Sequence, residues 1–257
     1  MRASKTQPFT DDGVLGGRLT LRQPARGHRF GHDAILLAAA TPAAAGEVAV
    51  DLGAGVGAAG LALARRVAGL AVRLVEIDRE LAELAAGNAA RNGLGDRVTA
   101  HALDVAAPPD AFAAAGLGAD SADRVLMNPP FHEAGRAQGS PDARRRAAHV
   151  AEAGTLATWL GTTARLLRAG GTLTVIYRAD GLGELVGALG PAFGAIATRP
   201  VHPKPGAAAI RILLNATKGS AAPSRLLPRL VLNGDDGRPS AEAEAVLREG
   251  APLPLAH

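Results

Sequence analysis

One stretch of this sequence reads Asp51-Leu52-Gly53-Ala54-Gly55-Val56-Gly57-Ala58-Ala59-Gly60. It follows the apolar run of residues 48–50, so we predict a short β-strand that turns into an α-helix through several glycines. Glycine adopts positive φ angles and lets a ligand approach the backbone, and the start of a helix favours anionic groups. The stretch therefore predicts a nucleotide-type cofactor site at the first strand-to-helix turn.

Two cofactors could use this turn. Gly55, Gly57 and Gly60 match the Gly-x-Gly-x-x-Gly pattern of dinucleotide binding, and Glu76 follows about 20 residues later, where a ribose-binding acid belongs. Asp51 adds an acid on the strand, which would repel a pyrophosphate but attract the ammonium group of a methionine moiety. This charge favours S-adenosylmethionine over NAD. A structural turn with Asp51 in a local hydrogen bond is the remaining alternative.

From residue 47 onward, strand-like and helix-like segments alternate, which indicates an α/β fold with a doubly wound, mostly parallel sheet. We predict strands at Val48–Asp51, Val72–Glu76, Val98–Ala102, Arg124–Met127, Thr172–Tyr177, Ala195–Val201 and Ile210–Asn215. We predict helices at Gly57–Val67, Arg79–Asn92, Leu156–Arg168 and Leu182–Leu189.

The two ends of the chain are predicted to add to this domain. Residues 1–12 are expected to lack regular structure, and an alternating pattern from Gly13 onward predicts a strand or short β-hairpin. Asp33 is placed to cap the helix that follows. We therefore divide the chain into a basic N-terminal extension (1–45, hairpin plus helix), a catalytic domain (46–217) and a C-terminal appendage (218–257), with a short strand and a helix at Ser240–Arg248.

Composition excludes several classes of protein. The chain has no cysteine, so disulfides, thiolate metal sites and cysteine nucleophiles are excluded. Its histidines show no ligand spacing, and no metal is expected. No apolar segment approaches the roughly 20 residues that span a membrane, and the N-terminus has no signal pattern. We expect a cytoplasmic protein with no membrane partner.

A second motif lies at the end of the predicted fourth strand, where the chain reads Asn128-Pro129-Pro130-Phe131. The prolines donate no backbone hydrogen bonds, and Pro130 holds Pro129 extended, so the carbonyls keep fixed directions beside a carboxamide and an aromatic ring. We predict that these residues bind a planar amine, such as the exocyclic amine of a nucleobase. A turn that merely contains two prolines is the alternative.

Acidic residues follow the second and third strands. Glu76 lies at a strand end and can accept both ribose hydroxyls, whereas Asp78 is better placed to cap the next helix. After the third strand, Asp104 and Val105 could hold the adenine of the cofactor, the carboxylate accepting from its amine and Val105 packing on the ring. A turn-forming Asp104 is the competing interpretation.

Taken together, these motifs resemble class I S-adenosylmethionine-dependent methyltransferases over roughly residues 30–217. The opening segments, residues 17–24 and 27–38, are similar to the start of the bacterial tRNA(Val) adenine-N6-methyltransferase family. The resemblance implies a Rossmann-like, seven-stranded sheet whose last strand is antiparallel, with Gly53, Gly55 and Gly57 lining the cofactor. It also implies that Asn128, Pro129, Pro130 and Phe131 hold the target, an adenine next to the anticodon.

Basic residues suggest an RNA partner. The net charge is +4, and residues 1–32 carry this whole surplus. Residues 132–153 are polar, and we predict a structureless segment that closes over the site, although a solvated helix start would explain its arginines equally well. The candidate RNA contacts are Arg29, Arg136, Arg144, Arg145, Arg146 and Lys204, with Arg199 and His202 beside the last.

The leading hypothesis is therefore an RNA adenine-N6 methyltransferase acting on tRNA. The same residues around Asn128 would suit a glutamine-N5 methyltransferase of protein release factors, or an enzyme for adenine in ribosomal RNA or DNA. A noncatalytic RNA-binding protein that retains the fold, and a nicotinamide dehydrogenase, are the hypotheses from other classes.

Overall fold

The structure is a computed structural model that describes residues 8–26, 29–130 and 141–255, with side chains from residue 154 onward in the last range. The strands are β1 (Phe9–Val14), β2 (Leu19–Pro24), β3 (Val48–Leu52), β4 (Ala71–Glu76), β5 (Val98–Ala102), β6 (Ala122–Met127), β7 (Leu167–Arg178), β8 (Phe193–His202), β9 (Arg211–Lys218), β10 (Arg225–Leu226) and β11 (Leu230–Val231). The helices are α1 (His32–Ala40), α2 (Ala58–Arg66), α3 (Arg79–Arg91), α4 (Pro109–Ala114), α5 (Pro141–Leu166), α6 (Leu182–Leu189) and α7 (Ala241–Leu247).

A mixed sheet forms the centre of the molecule, in the order β10-β8-β9-β7-β6-β3-β4-β5. Only β9 among these strands runs against its neighbours β7 and β8. All seven predicted strands are present, and the expected antiparallel last strand is confirmed. The sheet is wider than predicted, because β10 and β11 of the C-terminal segment pair in parallel with β8.

Helices cover both faces of the sheet, which confirms the doubly wound α/β class. Alternate residues of a strand point to opposite faces. On β6, Leu126 packs with α1, α2 and α3, whereas Val125 and Met127 pack with α4 and α5. Among the described helices, none is long and apolar enough to cross a membrane.

The N-terminal hairpin begins earlier than predicted. Strand β1 starts at Phe9, so the expectation that residues 1–12 lack regular structure is wrong from Phe9 onward. Acidic residues are uncommon in strands, but Asp11 pairs with Arg22 and Arg91, both at 2.8 Å. These partners come from β2 and α3, so their effect on the strand was not visible in the local sequence.

Two other local predictions are wrong. Asp33 does not cap α1, whose N-cap is Gly31 without a side-chain hydrogen bond. The Asp33 carboxylate accepts a hydrogen bond from Arg211 Nε at 2.8 Å. Residues 132–153 were predicted to be structureless, but α5 starts at Pro141, so residues 141–153 are helical. Proline is favoured in the first turn of a helix, where its missing N–H has no intrahelical acceptor.

The hairpin is held to the domain by two asparagines, Asn88 of α3 and Asn92, the C-cap residue of that helix. Asn88 accepts from the Arg22 N–H at 2.8 Å and donates to the Arg22 carbonyl at 2.9 Å. Asn92 makes the same pair of bonds with Thr20, at 3.0 and 2.8 Å. A carboxamide offers a donor and an acceptor, so each side chain satisfies one residue of β2 as a neighbouring strand would.

The C-terminal segment is packed into the core. Helix α7 lies against α1, and the N–H of Leu253 donates to the carbonyl of Ala39 at 2.8 Å. Leu253 and Leu255 are each 1% exposed. The predicted division at residue 218 therefore crosses a continuous apolar core.

We expect Leu253→Ala to lower the free energy of unfolding by about 2 to 5 kcal/mol, the usual cost of truncating a buried leucine. Leu226→Ala is the matched control, because Leu226 is 72% exposed and should change stability by less than about 0.5 kcal/mol. Urea unfolding measures both. Equal stabilities of the two variants would show that the tail adds nothing to the core.

Candidate active site

Three predicted site residues leave adjacent strands at the same level. Leu52 of β3 pairs with Val75 of β4 and with Met127 of β6. The next residues along the chain, Gly53, Glu76 and Asn128, therefore begin side by side at the carboxyl edge of the sheet. Neighbouring strands lie about 4.8 Å apart, so the residues predicted to bind the cofactor and those predicted to bind an amine lie side by side at this edge.

The glycine turn has the geometry expected from its sequence. Gly53, Gly55 and Gly57 have φ angles of 71°, 56° and 86°. A Cβ on Gly55 would meet nothing within 4 Å, whereas one on Gly57 would lie 3.0 Å from Leu74 Cδ1. Gly60 differs, since a Cβ there would collide with the Leu74 side chain. Gly55 thus borders open space for a ligand, and Gly60 allows α2 to pack closely on β4.

Asp51 is buried beneath this turn and is 2% exposed. Its Oδ2 accepts from the Gly60 N–H at 2.8 Å, which is the local hydrogen bond that the sequence left as an alternative. Burial raises the pKa of the Asp51 carboxyl to about 7; the Gly60 N–H opposes the rise and Glu76 adds to it. The expected contact of Asp51 with a methionine ammonium group stays a prediction.

This pKa has a consequence for stability. The unfolded carboxyl titrates near 3.8 and the folded one near 7, so the folded state binds more protons between these values. The contribution of Asp51 to the free energy of unfolding should therefore fall as pH rises from about 4 to about 7, by at most about 4 kcal/mol. The variant Asp51→Asn has no charge to bury at this position. Its free energy of unfolding, relative to that of the native protein, should therefore increase as the pH rises over this range. Urea unfolding at pH 5, 6, 7 and 8 checks this; a difference that does not change with pH would contradict it.

Glu76 bridges the glycine turn and the start of α3. Its Oε2 accepts from the Gly55 N–H at 2.8 Å and its Oε1 from the Asp78 N–H at 2.9 Å. A carboxylate offers about four acceptor sites, so two are left for ribose hydroxyls. Asp78 caps α3 as predicted, accepting from the N–H groups of Glu80 and Leu81.

Ile77 was missed by sequence reasoning. It follows Glu76 directly and is 67% exposed. An isoleucine exposed at the carboxyl edge of a parallel sheet offers a flat apolar surface to an aromatic ring. The signal in the sequence was an apolar residue between two acids, to which we assigned no role.

Asp104 and Val105 show the contacts of a turn. Asp104 Oδ1 accepts from the Ala106 N–H at 2.8 Å, as the competing interpretation expected. Val105 is buried in the core, and its carbonyl accepts from Thr162 at 2.9 Å. Their adenine contact stays a prediction.

The amine-binding motif is described up to Pro130, and Phe131 lies outside the described residues. Asn128 Oδ1 is buried and has no hydrogen-bond partner within the described part of the chain. Pro129 is buried and Pro130 is exposed. An unpaired buried oxygen costs about 1 to 3 kcal/mol, so a ligand that donates to Asn128 would recover this free energy.

Trp159 is a second residue that the sequence left without a role. It lies on α5, and a Cβ on Gly53 would collide with its Cη2 atom. The indole thus packs on the first glycine of the cofactor turn. It is the single tryptophan of the chain, so its fluorescence reports on this turn directly.

The predicted RNA contacts differ in their surroundings. Arg29 donates to Asp12 Oδ2 and Thr10 Oγ1, at 2.8 and 2.9 Å, which ties it to the hairpin. Arg199 pairs with Glu242 at 2.6 Å, and His202 Nδ1 lies 2.7 Å from the Ala207 carbonyl. Lys204 is exposed. Arg136 lies outside the described residues, and only the helical backbone is described for Arg144, Arg145 and Arg146.

Residues 29–196 match the model of a known family, the methyltransferase small domain. The chain belongs to this family. It is an S-adenosylmethionine-dependent methyltransferase, which confirms the predicted reaction class and cofactor. Among the described residues, no group of three or more His, Asp or Glu side chains is arranged to hold a metal ion.

Relatives carry more specific names. The chain is 31% identical over 150 residues to a tRNA1(Val) (adenine(37)-N6)-methyltransferase of Enterobacter sp. (strain 638), covering 58% of each chain. It thus spans less than two thirds of that relative. It is 28% identical over 188 residues to the protein of the same name from Phocaeicola vulgatus, covering 72% of this chain and 75% of the relative.

A solved structure is also similar, that of an Agrobacterium tumefaciens protein described as a predicted O-methyltransferase. The TM-score is 0.73 at 28% identity, and the match covers 86% of this chain and 98% of the other. Proteins similar to this chain therefore include one described as methylating oxygen beside others named for methylating nitrogen.

Proposed function

We propose that this protein methylates N6 of an adenine in RNA, with a tRNA anticodon-loop adenine as the first substrate to test. The observation that carries the proposal is Oδ1 of Asn128, beside the glycine turn, which is buried and has no hydrogen-bond partner among the described residues. This oxygen can accept a hydrogen bond from the amine of a substrate. The names of the two adenine-N6 relatives support the choice of base.

The residues that we predict to bind the cofactor fit S-adenosylmethionine. Gly55 borders open space, and Glu76 has two acceptor sites left for the ribose hydroxyls. Ile77 would offer its exposed side chain to the adenine ring of the cofactor. Gly53 and Asn128 follow paired residues of β3 and β6, so the methionine end of the cofactor and the target would meet between these strands.

Asn128 is proposed to orient and activate the target amine. The lone pair of an adenine amine is delocalised into the ring, which makes the nitrogen a weak nucleophile. Hydrogen bonds from this amine to Asn128 Oδ1 and to the Pro129 carbonyl would draw the lone pair toward the nitrogen and fix its direction. The bound cofactor would supply a methyl group on a sulfonium, already a reactive electrophile. The amine nitrogen would bond to the methyl carbon as the carbon–sulfur bond breaks, which leaves a neutral thioether, and the methylated amine would release one proton to water. Position and electrostatics then account for catalysis, without a covalent enzyme intermediate.

The same arrangement argues against a hydroxyl substrate. Transfer to oxygen at neutral pH requires a group that removes the hydroxyl proton, and a carboxamide is not a base. A glutamine side chain is a closer competitor, because its amide nitrogen presents the same two hydrogens. The RNA relatives favour adenine, and substrate choice is decided by experiment.

The test is an incubation of the purified protein with methyl-labelled cofactor and, in parallel, tRNA, ribosomal RNA and a release factor. Nuclease digestion and mass spectrometry of the labelled RNA should yield N6-methyladenosine. Label on the release factor and none on RNA would identify a glutamine enzyme. Label in 2′-O-methylated nucleosides would identify an O-methyltransferase and refute the role of Asn128.

A further inference from the structure

Most cations of this protein are already engaged. Of the arginine and lysine side chains that the structure describes, only Arg26, Lys204, Arg225 and Arg229 make no ion pair, hydrogen bond or ring contact. Three of these four lie along one edge of the sheet. We call Lys204, Arg225 and Arg229 the β8-edge band.

We propose that the β8-edge band binds the phosphate backbone of the RNA on one side of the methylated base. This inference rests on the proposed function and names the surface that such a substrate would cross. Arg225 and Arg229 belong to the C-terminal segment, whose short strands pair with β8.

The band is a row with a definite spacing. Arg225 pairs with Ala197 of β8, and Leu230, next to Arg229, pairs with Val201. Lys204 follows the end of β8, where the Asn233 N–H donates to the Pro203 carbonyl. A strand rises about 3.3 Å per residue, so the backbones of Arg225 and Arg229 lie roughly 10 Å apart along β8, and Lys204 lies in the bend that follows β8. A backbone with a charge at every nucleotide can contact all three.

The row lies to one side of the candidate active site and runs parallel to β6. Strand β8 has the same direction as β6, since β9 is antiparallel to β8 and to β7. Lys204 therefore lies at the same edge of the sheet as Asn128. Three strand spacings separate β8 from β6, about 14 Å, and β10 lies one spacing further. A single nucleotide at Asn128 does not reach the band, but an RNA of several nucleotides does.

Charge and exposure suit this partner. All three cations are exposed, and Leu226, beside Arg225, is 72% exposed, which provides an apolar surface for an unstacked base. In the neighbouring turn Asp236 lies 3.8 Å from Arg238, so these two charges offset one another. Asp235 is the remaining acid of that turn. The band therefore keeps a net positive charge, and this charge can neutralise phosphate groups of an RNA.

The experiment removes the band and counts the lost phosphate contacts. We compare the triple variant Lys204→Gln, Arg225→Gln, Arg229→Gln with a control, Arg65→Gln, Arg168→Gln, Lys218→Gln. The control removes the same charge outside the band, since Arg168 and Lys218 lie where β7 begins and β9 ends and Arg65 lies in the last turn of α2. Affinity for full-length tRNA and for a short RNA of two nucleotides, which cannot extend from Asn128 to the band, is measured by fluorescence anisotropy at salt concentrations from about 50 to about 300 mM.

For tRNA we expect the band variant to reduce the slope of log affinity against log salt by about 2, at roughly 0.7 per contact with a single-stranded phosphate. The control should keep the native slope. For the short RNA, and for S-adenosylmethionine, the two variants should bind alike.

Three results would overturn the inference. If the band variant keeps the native slope and still methylates tRNA, the RNA takes another path and the proposed function stands. If the native protein binds tRNA no better than the short RNA, no extended backbone surface exists. Failure of the proposed function is separate, because it appears as absence of N6-methyladenosine in the labelling assay. If the band variant instead loses methylation of a release factor, the surface binds protein and the inference is wrong.

Discussion

Asn128→Ala is expected to lower turnover by about 100- to 1,000-fold, while S-adenosylmethionine binds within about twofold of its native affinity. The reason is that Oδ1 of Asn128 is buried without a partner among the described residues, so it adds nothing to the fold or to the cofactor turn. Its hydrogen bond forms only when the amine is in place. Single-turnover methylation and calorimetry with the cofactor measure the two quantities.

Asn215→Ala is the matched control. Asn215 Oδ1 is also buried without a partner among the described residues, but it lies on β9, two strands from β6, so the same truncation there should leave turnover per folded molecule unchanged. Native turnover of Asn128→Ala would refute the proposed activation of the amine. Loss of cofactor binding in this variant would show instead that Asn128 supports the glycine turn.

Glu76→Ala is expected to weaken cofactor binding by about 100-fold or more. The substitution removes two acceptors for ribose hydroxyls, and charge-assisted hydrogen bonds contribute about 1.5 to 3 kcal/mol each. It also frees the Gly55 and Asp78 N–H groups, so the turn loses its anchor to α3. Glu76→Gln keeps part of this geometry and should bind with intermediate affinity.

Calorimetry gives the affinities, and Trp159 fluorescence gives an independent measure, since the indole packs on Gly53. Glu83→Ala is the control, because Glu83 is an exposed partner of Arg79 on the same helix. If Glu76→Ala binds the cofactor within about threefold of the native protein, Glu76 is only a support for the turn.

Features that depend on neighbours in the chain could be predicted from the sequence. The glycine turn, the seven strands and the Asp78 cap follow from local dihedral preferences, apolar periodicity and hydrogen bonds over two or three residues. The helical start of α5 at Pro141 was also a local signal, but the polar composition of 132–153 favoured a loop over it. Part of the site, from the glycines to Glu76, was therefore predictable.

Features that depend on partners distant in the chain required the tertiary structure. Arg29 and Arg199 look like any other basic residue in the sequence, but the fold gives them Asp12 and Glu242 as partners. Arg225 and Arg229 were overlooked, and the fold leaves them unpaired beside β8 within the described part of the chain. Whether a charge is free to bind a ligand depends on the sum of its surroundings, which local sequence does not contain.

By itself the sequence determined the α/β class and the glycine turn, and it predicted an amine-binding role for Asn128–Phe131, because each signal arises within a few consecutive residues. The tertiary structure alone decided that Gly53, Glu76 and Asn128 leave adjacent strands at one level and that Trp159 packs on the turn. It also decided that Asn128 Oδ1 lacks a partner among the described residues. Strand register and burial are relations between distant segments. They arise only when hydrogen bonding and packing bring those segments together.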